Sequence, residues 1–294
     1  MKNFLILFCL LLFLSACAVP HEEPTAVPSP EPTATETPIP EPTPTIPPSA
    51  ARVNGLYVAI EDVDTKIAQL RDAYELLGEP VPGDKELREE ALNDLIDETL
   101  FLSAAQMRGV APDSVDLDTK IQALCIKLGS CDALHDWQRQ NHYSEDGFRR
   151  AMERETAAAK MRVEILAGLN ETEQLHVYRI WSDRKSNLDE VLTRLNMGIS
   201  FIEMAKNYDE VTGGDMSWFP RGILFSGDVE DKIFALNAGE HTEILEIDGV
   251  YNIFYVAEKQ TGRAMDTQVR QLAERKALSD WLDDQRSKAD IVIE

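Results

Sequence analysis

Gly213-Gly214-Asp215-Met216-Ser217-Trp218-Phe219-Pro220-Arg221-Gly222 is the stretch on which the reading of the fold turns. It sits between segments of different period. Upstream, Phe201 to Tyr208 has helical spacing, with Met204 and Ala205 inward and Ser200 placed as an N-cap. Before that, Ser186 stands where a cap would open a helix bearing Leu188, Val191, Leu192 and Leu195, closed by Gly198. Further back, Gln174 to Trp181 alternates like a strand, with Leu175 and Val177 on one side and Tyr178 and Ile180 on the other. Downstream, a short helix over Val229 to Leu236 turns Phe234 inward. Asn237-Ala238-Gly239 leads into a strand over Thr242 to Ile247, and Asp248-Gly249 is a hairpin turn into Val250 to Val256. The order is β-α-α-β-α-β-β, an antiparallel sheet with helices packed around it.

The region before Glu171 is helical. Ala51 to Val58 reads as a short hairpin around Asn54-Gly55. Val63, Ile67, Leu70, Tyr74 and Leu77 then line one helix face, stopped by Gly78. A second helix runs from about Lys85 to Arg108, with Ala91, Leu92, Leu95, Ile96, Thr99 and Leu102 inward. Ile121, Leu124 and Leu128 mark a third, Leu134 and Trp137 a short fourth, and Ser144 caps a long fifth bearing Phe148, Met152, Ala159, Val163 and Leu166. None of these carries a catalytic constellation. Cys125 and Cys131 flank the Gly129 break, so a disulfide and two buried thiols both remain open. A zinc site with His135 lacks a fourth ligand.

The first 50 residues are an address and a spacer. Lys2 precedes an uncharged apolar run from Phe4 to Leu14, too short to span a bilayer and suited to a signal h-region. It ends in Leu14-Ser15-Ala16-Cys17, which looks like a bacterial lipobox with Cys17 as the lipidated residue. Eleven of the 15 prolines then fall between Pro20 and Pro48, among Thr, Glu, Ser and Ala, so this segment has little to bury and favours extended backbone. The chain as a whole has 294 residues, 29 Lys plus Arg against 52 Asp plus Glu, and a net charge of −23. Its 44% hydrophobic content supports a core. The acid excess excludes nucleic acid as a partner, because binding a phosphate backbone needs basic side chains. Four cysteines in so long a chain exclude a disulfide scaffold.

The second folded region resembles the parvulin-type (PpiC, rotamase) peptidyl-prolyl isomerase domain. The likeness rests on Phe201-x-x-Met204-Ala205-x-x-Tyr208, then Gly213-Gly214-Asp215 with Trp218-Phe219-Pro220-x-Gly222, then Phe234-Ala235-Leu236-x-x-Gly239-Glu240, in that order and spacing. Val53-Asn54-Gly55, Ala91-Leu92-Asn93-Asp94-Leu95-Ile96-Asp97 through Arg108-Gly109, and the tail helix Thr267 to Ser287 with Trp281-Leu282 look like the chaperone module of the SurA/PrsA group. The resemblance implies an α+β chain: lipoprotein signal over 1–16, lipidated Cys17 and linker over 17–50, helical SurA-like domain over 51–170, parvulin-like domain over 171–261, and a C-terminal helix over 262–294 returning to the helical domain through Val269, Leu272, Leu278 and Leu282.

It also implies a function: an extracytoplasmic, membrane-anchored foldase whose partners are unfolded or nascent secreted polypeptides containing X-Pro bonds. Unaided rotation about such a bond takes tens to hundreds of seconds. An enzyme hastens it by seating the ring in an apolar cup and favouring the twisted amide, with no metal or cofactor. The family's cup maps onto Leu224, Val229 and Phe234, with Trp218, Phe219 and Thr242 nearby. Its catalytic positions map onto Arg179, in Tyr178-Arg179-Ile180-Trp181, onto Asp209 (or Val211), and onto Tyr251 or Asn252. Histidine is usual at the first and last of these. Arginine only donates and is always charged, so it cannot reproduce a neutral imidazole network. The expectation is weak isomerase activity, with a non-catalytic holdase as the alternative. His176 lies three residues before Arg179, so alternation sends it to the opposite face.

Overall fold

The computed structural model describes residues 48–224 and 227–294. The signal segment, Cys17 and the linker to residue 47 lie outside the described residues. The architecture is α+β, as the sequence indicates. A hairpin of β1 (Ser49–Val53) and β2 (Leu56–Ala59) turns at Asn54 and Gly55, both at positive φ. There follow α1 (Ile60–Leu77), α2 (Asp84–Met107), α3 (Ser114–Leu128), α4 (Cys131–Gln140) and α5 (Glu145–Ala167). A 3-10 turn over Gly168–Glu171 leads to β3 (Glu173–Ser182), α6 (Lys185–Asn196), α7 (Phe201–Tyr208), β4 (Asp215–Pro220), α8 (Asp228–Phe234), β5 (Leu245–Ile247) and β6 (Val250–Thr261). The chain closes with α9 (Thr267–Lys288) and β7 (Ile291–Ile293).

In the helical part, α2 is the central element. Ala91, Leu92, Leu95, Ile96 and Leu100 form one core with Val53, Val58 and Val63. Phe101, Leu102, Ala104 and Ala105 form a second with Ala157, Ala158 and Met161 of α5. The α5 face therefore follows Phe148, Ala157, Ala158 and Met161, whereas Ala159 and Val163 face solvent. A heptad-like count started from Met152 drifts off that face. A buried polar group also lies on it: Arg154 reaches Asp62 of α1 at 2.7 Å and Glu98 of α2 at 3.1 Å. Helix α9 packs against α2 and α5 through Leu278, Trp281 and Leu282, with Trp281 stacked on Phe101 at 4.6 Å between centroids. Val269 and Leu272 are not on that face; Leu272 is exposed. Beyond it, β7 adds antiparallel to β1, completing the order β2-β1-β7.

The second sheet has the order β4-β3-β6-β5, antiparallel throughout. Helices α6 and α7 cover one face through Leu188, Val191, Phe201, Met204 and Ala205, packed on Ile180 and Ile253. Neither helix has its expected side-chain cap: α6 opens at Arg184 without one, and Ser200 makes no capping hydrogen bond to α7. The other face holds Leu175, Val177, Phe254 and Val256 against Phe219 of β4 and Ile233 and Phe234 of α8. The strand expected from Thr242 is regular only from Leu245, yet its backbone stays paired with β6, since Thr242 N–H donates to the Phe254 carbonyl at 2.8 Å.

Cys125 and Cys131 are joined as a disulfide, with Cα atoms 4.4 Å apart. Gly129, at φ 94°, ends α3 and lets α4 begin at Cys131. His135 instead faces Glu145 at 3.7 Å, and no group of His, Cys, Asp and Glu among the described residues could hold a metal.

Candidate functional site

The site lies on the α8-covered face of the second sheet. Successive side chains of a strand point to opposite faces, so Leu175, Val177, Arg179 and Trp181 share one. In register, Arg179 stands opposite Phe254 and Trp181 opposite Asn252. The Arg179 Nε–H donates to Asn252 Oδ1 at 2.7 Å, and the guanidinium carbon sits 5.8 Å from the Trp181 ring centroid. Asn252 is fully buried, and its Nδ2 donates to the Val250 carbonyl at 2.8 Å, which fixes which end of the amide faces Arg179. Burial pulls the guanidinium below its usual value, and no carboxylate among the described residues lies within ion-pair distance of it.

A turn at the end of α7 holds the backbone of Arg179. Asp209 accepts from the backbone N–H groups of Val211 and Thr212, at 2.9 and 3.1 Å, and from the Thr212 hydroxyl. The Thr212 hydroxyl bond, followed by those backbone bonds, holds the Asp209 carboxyl below the usual carboxylate range. The turn continues through Gly213 and Gly214, both at positive φ, and Arg179 N–H donates to the Gly214 carbonyl at 2.8 Å. A Cβ on Gly214 would come within 2.4 Å of the Arg179 carbonyl oxygen, so only glycine fits. Asp209 thus shapes the turn that abuts Arg179, with its own carboxylate occupied by that turn.

A SurA-like N-terminal domain is matched by residues 41–162, and a PPIC-type PPIASE domain by residues 165–258. These two domains, in this order, make the chain similar to the SurA/PrsA-like parvulin foldases. Foldase protein PrsA of Geobacillus sp. (strain WCH70) is 30% identical over 77 residues, which cover 24% of this chain and 28% of that one. Chaperone SurA of Aliivibrio fischeri is 24% identical over 244 residues, covering 67% of this chain and 55% of that one. The chain therefore spans about half, or less, of the length of these curated relatives. Among solved structures, the peptidylprolyl isomerase PrsA of Bacillus cereus has a TM-score of 0.44 at 18% identity, covering 81% of this chain and 90% of that one. PrsA of Bacillus anthracis has a TM-score of 0.40 at 17% identity, covering 67% and 96%.

Within the PPIC-type domain the expected residues divide. Arg179, Phe219, Phe234 and Val229 gather on the α8 face, and Thr242 is buried beside Phe254, accepting from its N–H at 3.0 Å. Tyr251 does not join them. It lies one residue from Asn252 and so packs on the opposite face with Tyr178 and Tyr255, leaving Asn252 as the partner of Arg179. Trp218 is also on the opposite face. It pairs with His176 and stacks on that ring at 5.5 Å, while its neighbour Phe219 pairs with Leu175. His176 is indeed turned away from Arg179, and its Nε2 meets Asp215 at 2.9 Å.

The cup is more filled than expected. Phe219, Phe234 and Thr242 are 1%, 3% and 4% exposed and belong to the core rather than to a surface. The apolar groups still open to a ligand are Leu224, at 44% exposure, half-buried Val229, and half-buried Met216, which the sequence reading missed. Simple alternation would put Met216 on the face of Trp218; the positive φ of Ser217, 62°, breaks that alternation and turns Met216 to the α8-covered face. Two recesses lie elsewhere. One of about 550 Å³ is bordered by Pro48, Ile60, Asp64 and His142, and one of about 230 Å³ lies between Pro220, Arg221 and α9.

Proposed function

We propose that this chain is a membrane-anchored extracytoplasmic foldase for secreted proteins, holding unfolded clients on its helical part and isomerising their X-Pro bonds weakly on the Arg179 face. The observation that carries the reading is the pairing of Arg179 with Asn252 on the face that also bears half-buried Val229 and Met216. Apolar side chains next to fixed N–H donors suit a proline ring and the carbonyl that precedes it. The donors can stabilise the carbonyl of a twisted amide, but no imidazole among the described residues is on this face to complete the usual network. On the helical part, Met107, Val115, Ile126, Leu128 and Trp137 are exposed, which suits transient capture of extended apolar segments. Cys17 would carry the lipid, and the proline-rich segment would lift the body from the membrane. The net charge of −23 would then keep that body away from anionic headgroups.

Cis/trans exchange in a short X-Pro peptide, followed by NMR at increasing concentrations of the full chain, tests the isomerase half. The expected outcome is measurable exchange at high enzyme concentration, with a further rise in the variant carrying both Arg179→His and Asn252→His. No acceleration at any concentration would overturn the enzyme reading. The second reading, a holdase that keeps the parvulin fold only for binding, is favoured by the Arg179–Asn252 hydrogen bond itself, since it occupies the positions where the family has histidines. It predicts delayed client aggregation without exchange.

A further inference from the structure

The guanidinium of Arg179 is half-buried, yet among the described residues only its Nε–H is used. Its two terminal nitrogens have no acceptor and no carboxylate among the described residues. In the helical part, Arg150 is met by Glu61 and Asp62, and buried Arg154 by Asp62 and Glu98, whereas the Nε of half-buried Arg52 has no partner among the described residues. A desolvated cation without a counter-charge is costly, and the cost falls when an anion arrives. Nε is fixed by Asn252, so the guanidinium plane is pre-oriented and its outer edge offers two parallel N–H donors. That fork matches a carboxylate rather than a single carbonyl. The Trp181 ring, 5.8 Å from the guanidinium carbon, supplies an apolar wall.

We propose that Arg179 is a specificity-determining residue that selects client segments presenting a carboxylate beside the X-Pro bond. This rests on the reading of the Arg179 face as the prolyl-binding face. The carboxylate can come from an acidic side chain or from a free chain end. The acidic charge of the chain as a whole repels such segments at long range, so the preference is a short-range one made at Arg179.

Calorimetric titration of the full chain with four peptides tests it: blocked Ala-Glu-Pro-Phe, blocked Ala-Ala-Pro-Phe, blocked Ala-Lys-Pro-Phe, and Ala-Ala-Pro-Phe with a free C-terminus. A carboxylate-bearing peptide is expected to bind about tenfold or more tighter than the blocked Ala and Lys peptides, as charge-assisted hydrogen bonds supply. Gain by the Glu peptide identifies a side-chain acid, and gain by the free-ended peptide identifies a chain terminus. Arg179→Gln should abolish the gain, so that the Glu and free-ended peptides bind this variant no tighter than the blocked Ala peptide binds it. Arg179→Lys, which keeps the charge without the fork, should keep part of it. Equal affinities for all four peptides, or a gain that survives in Arg179→Gln, would overturn the assignment. Exchange catalysis without acid preference removes this proposal alone. Acid preference without exchange removes only the isomerase reading, and absence of any binding removes both.

Discussion

Gly214 shows how narrow the tolerance is where the turn meets β3. Its φ of 76° is one that side chains rarely adopt, and the space a methyl would need is taken by the Arg179 carbonyl oxygen. Gly214→Ala therefore combines left-handed strain of about 1–2 kcal/mol with a backbone collision. The variant is expected to lose at least that much stability, read as a lower denaturant midpoint, with loss of whatever peptide binding the Arg179 face has. Gly213→Ala is the comparison. Its Cβ would meet only the Lys206 side chain at 3.4 Å, so it should carry the strain without the collision. Equal midpoints for the two variants would refute the close-approach argument.

The junction of α1 with α5 depends on charge. Asp62, 4% exposed, accepts from Arg150 and Arg154 together, while Glu61 on the rim meets Arg150 at 2.7 Å. A hydrogen bond from Ser144, with help from Arg150, holds the Glu61 carboxyl below its usual 4.5. A lowered carboxylate stabilises the fold above its unfolded value, and that stability is lost as pH falls through the folded one. Asp94 behaves oppositely: burial, opposed by Lys66, raises its carboxyl above the usual 3.8, so its contribution improves as pH falls through that range. Urea midpoints followed downward through pH 4.5 should show a flatter acid loss in Glu61→Gln and a steeper one in Asp94→Asn. Parallel curves for both variants and the parent would refute the assignment.

Over the whole molecule, the two chain ends described here close the helical part. β7 pairs with β1 through Ala51–Ile293, Arg52–Val292 and Val53–Ile291, and α9 ties to α2 through Arg286 and Asp97 at 2.6 Å. Trp281 is the apolar centre of this closure, stacked on Phe101, which is 5% exposed. Trp281→Ala is expected to cost about 2–4 kcal/mol, read as a lower midpoint in one cooperative transition. A change below ~0.5 kcal/mol, the range of ordinary surface substitutions, would mean that α9 is held by its ion pairs alone.

Much of this was legible in the residues. Helix faces on α2, the Asn54-Gly55 and Asp248-Gly249 turns, and the order of elements in the second region follow from period and turn chemistry, which act over a few residues. The choice between Tyr251 and Asn252 did not, because a strand's alternation assigns residues to two faces without saying which face is which. Register against β3 decides it, and that register shifts at a bulge between His176 and Val177. The same limit hid the separation of Met216 from Trp218, made by one positive φ at Ser217, and the strand at Ile291–Ile293, whose partner lies at the far end of the folded chain. Local period determined which elements exist. Only long-range pairing decided which side chains meet, because a backbone ladder joins residues that no short window of sequence contains together.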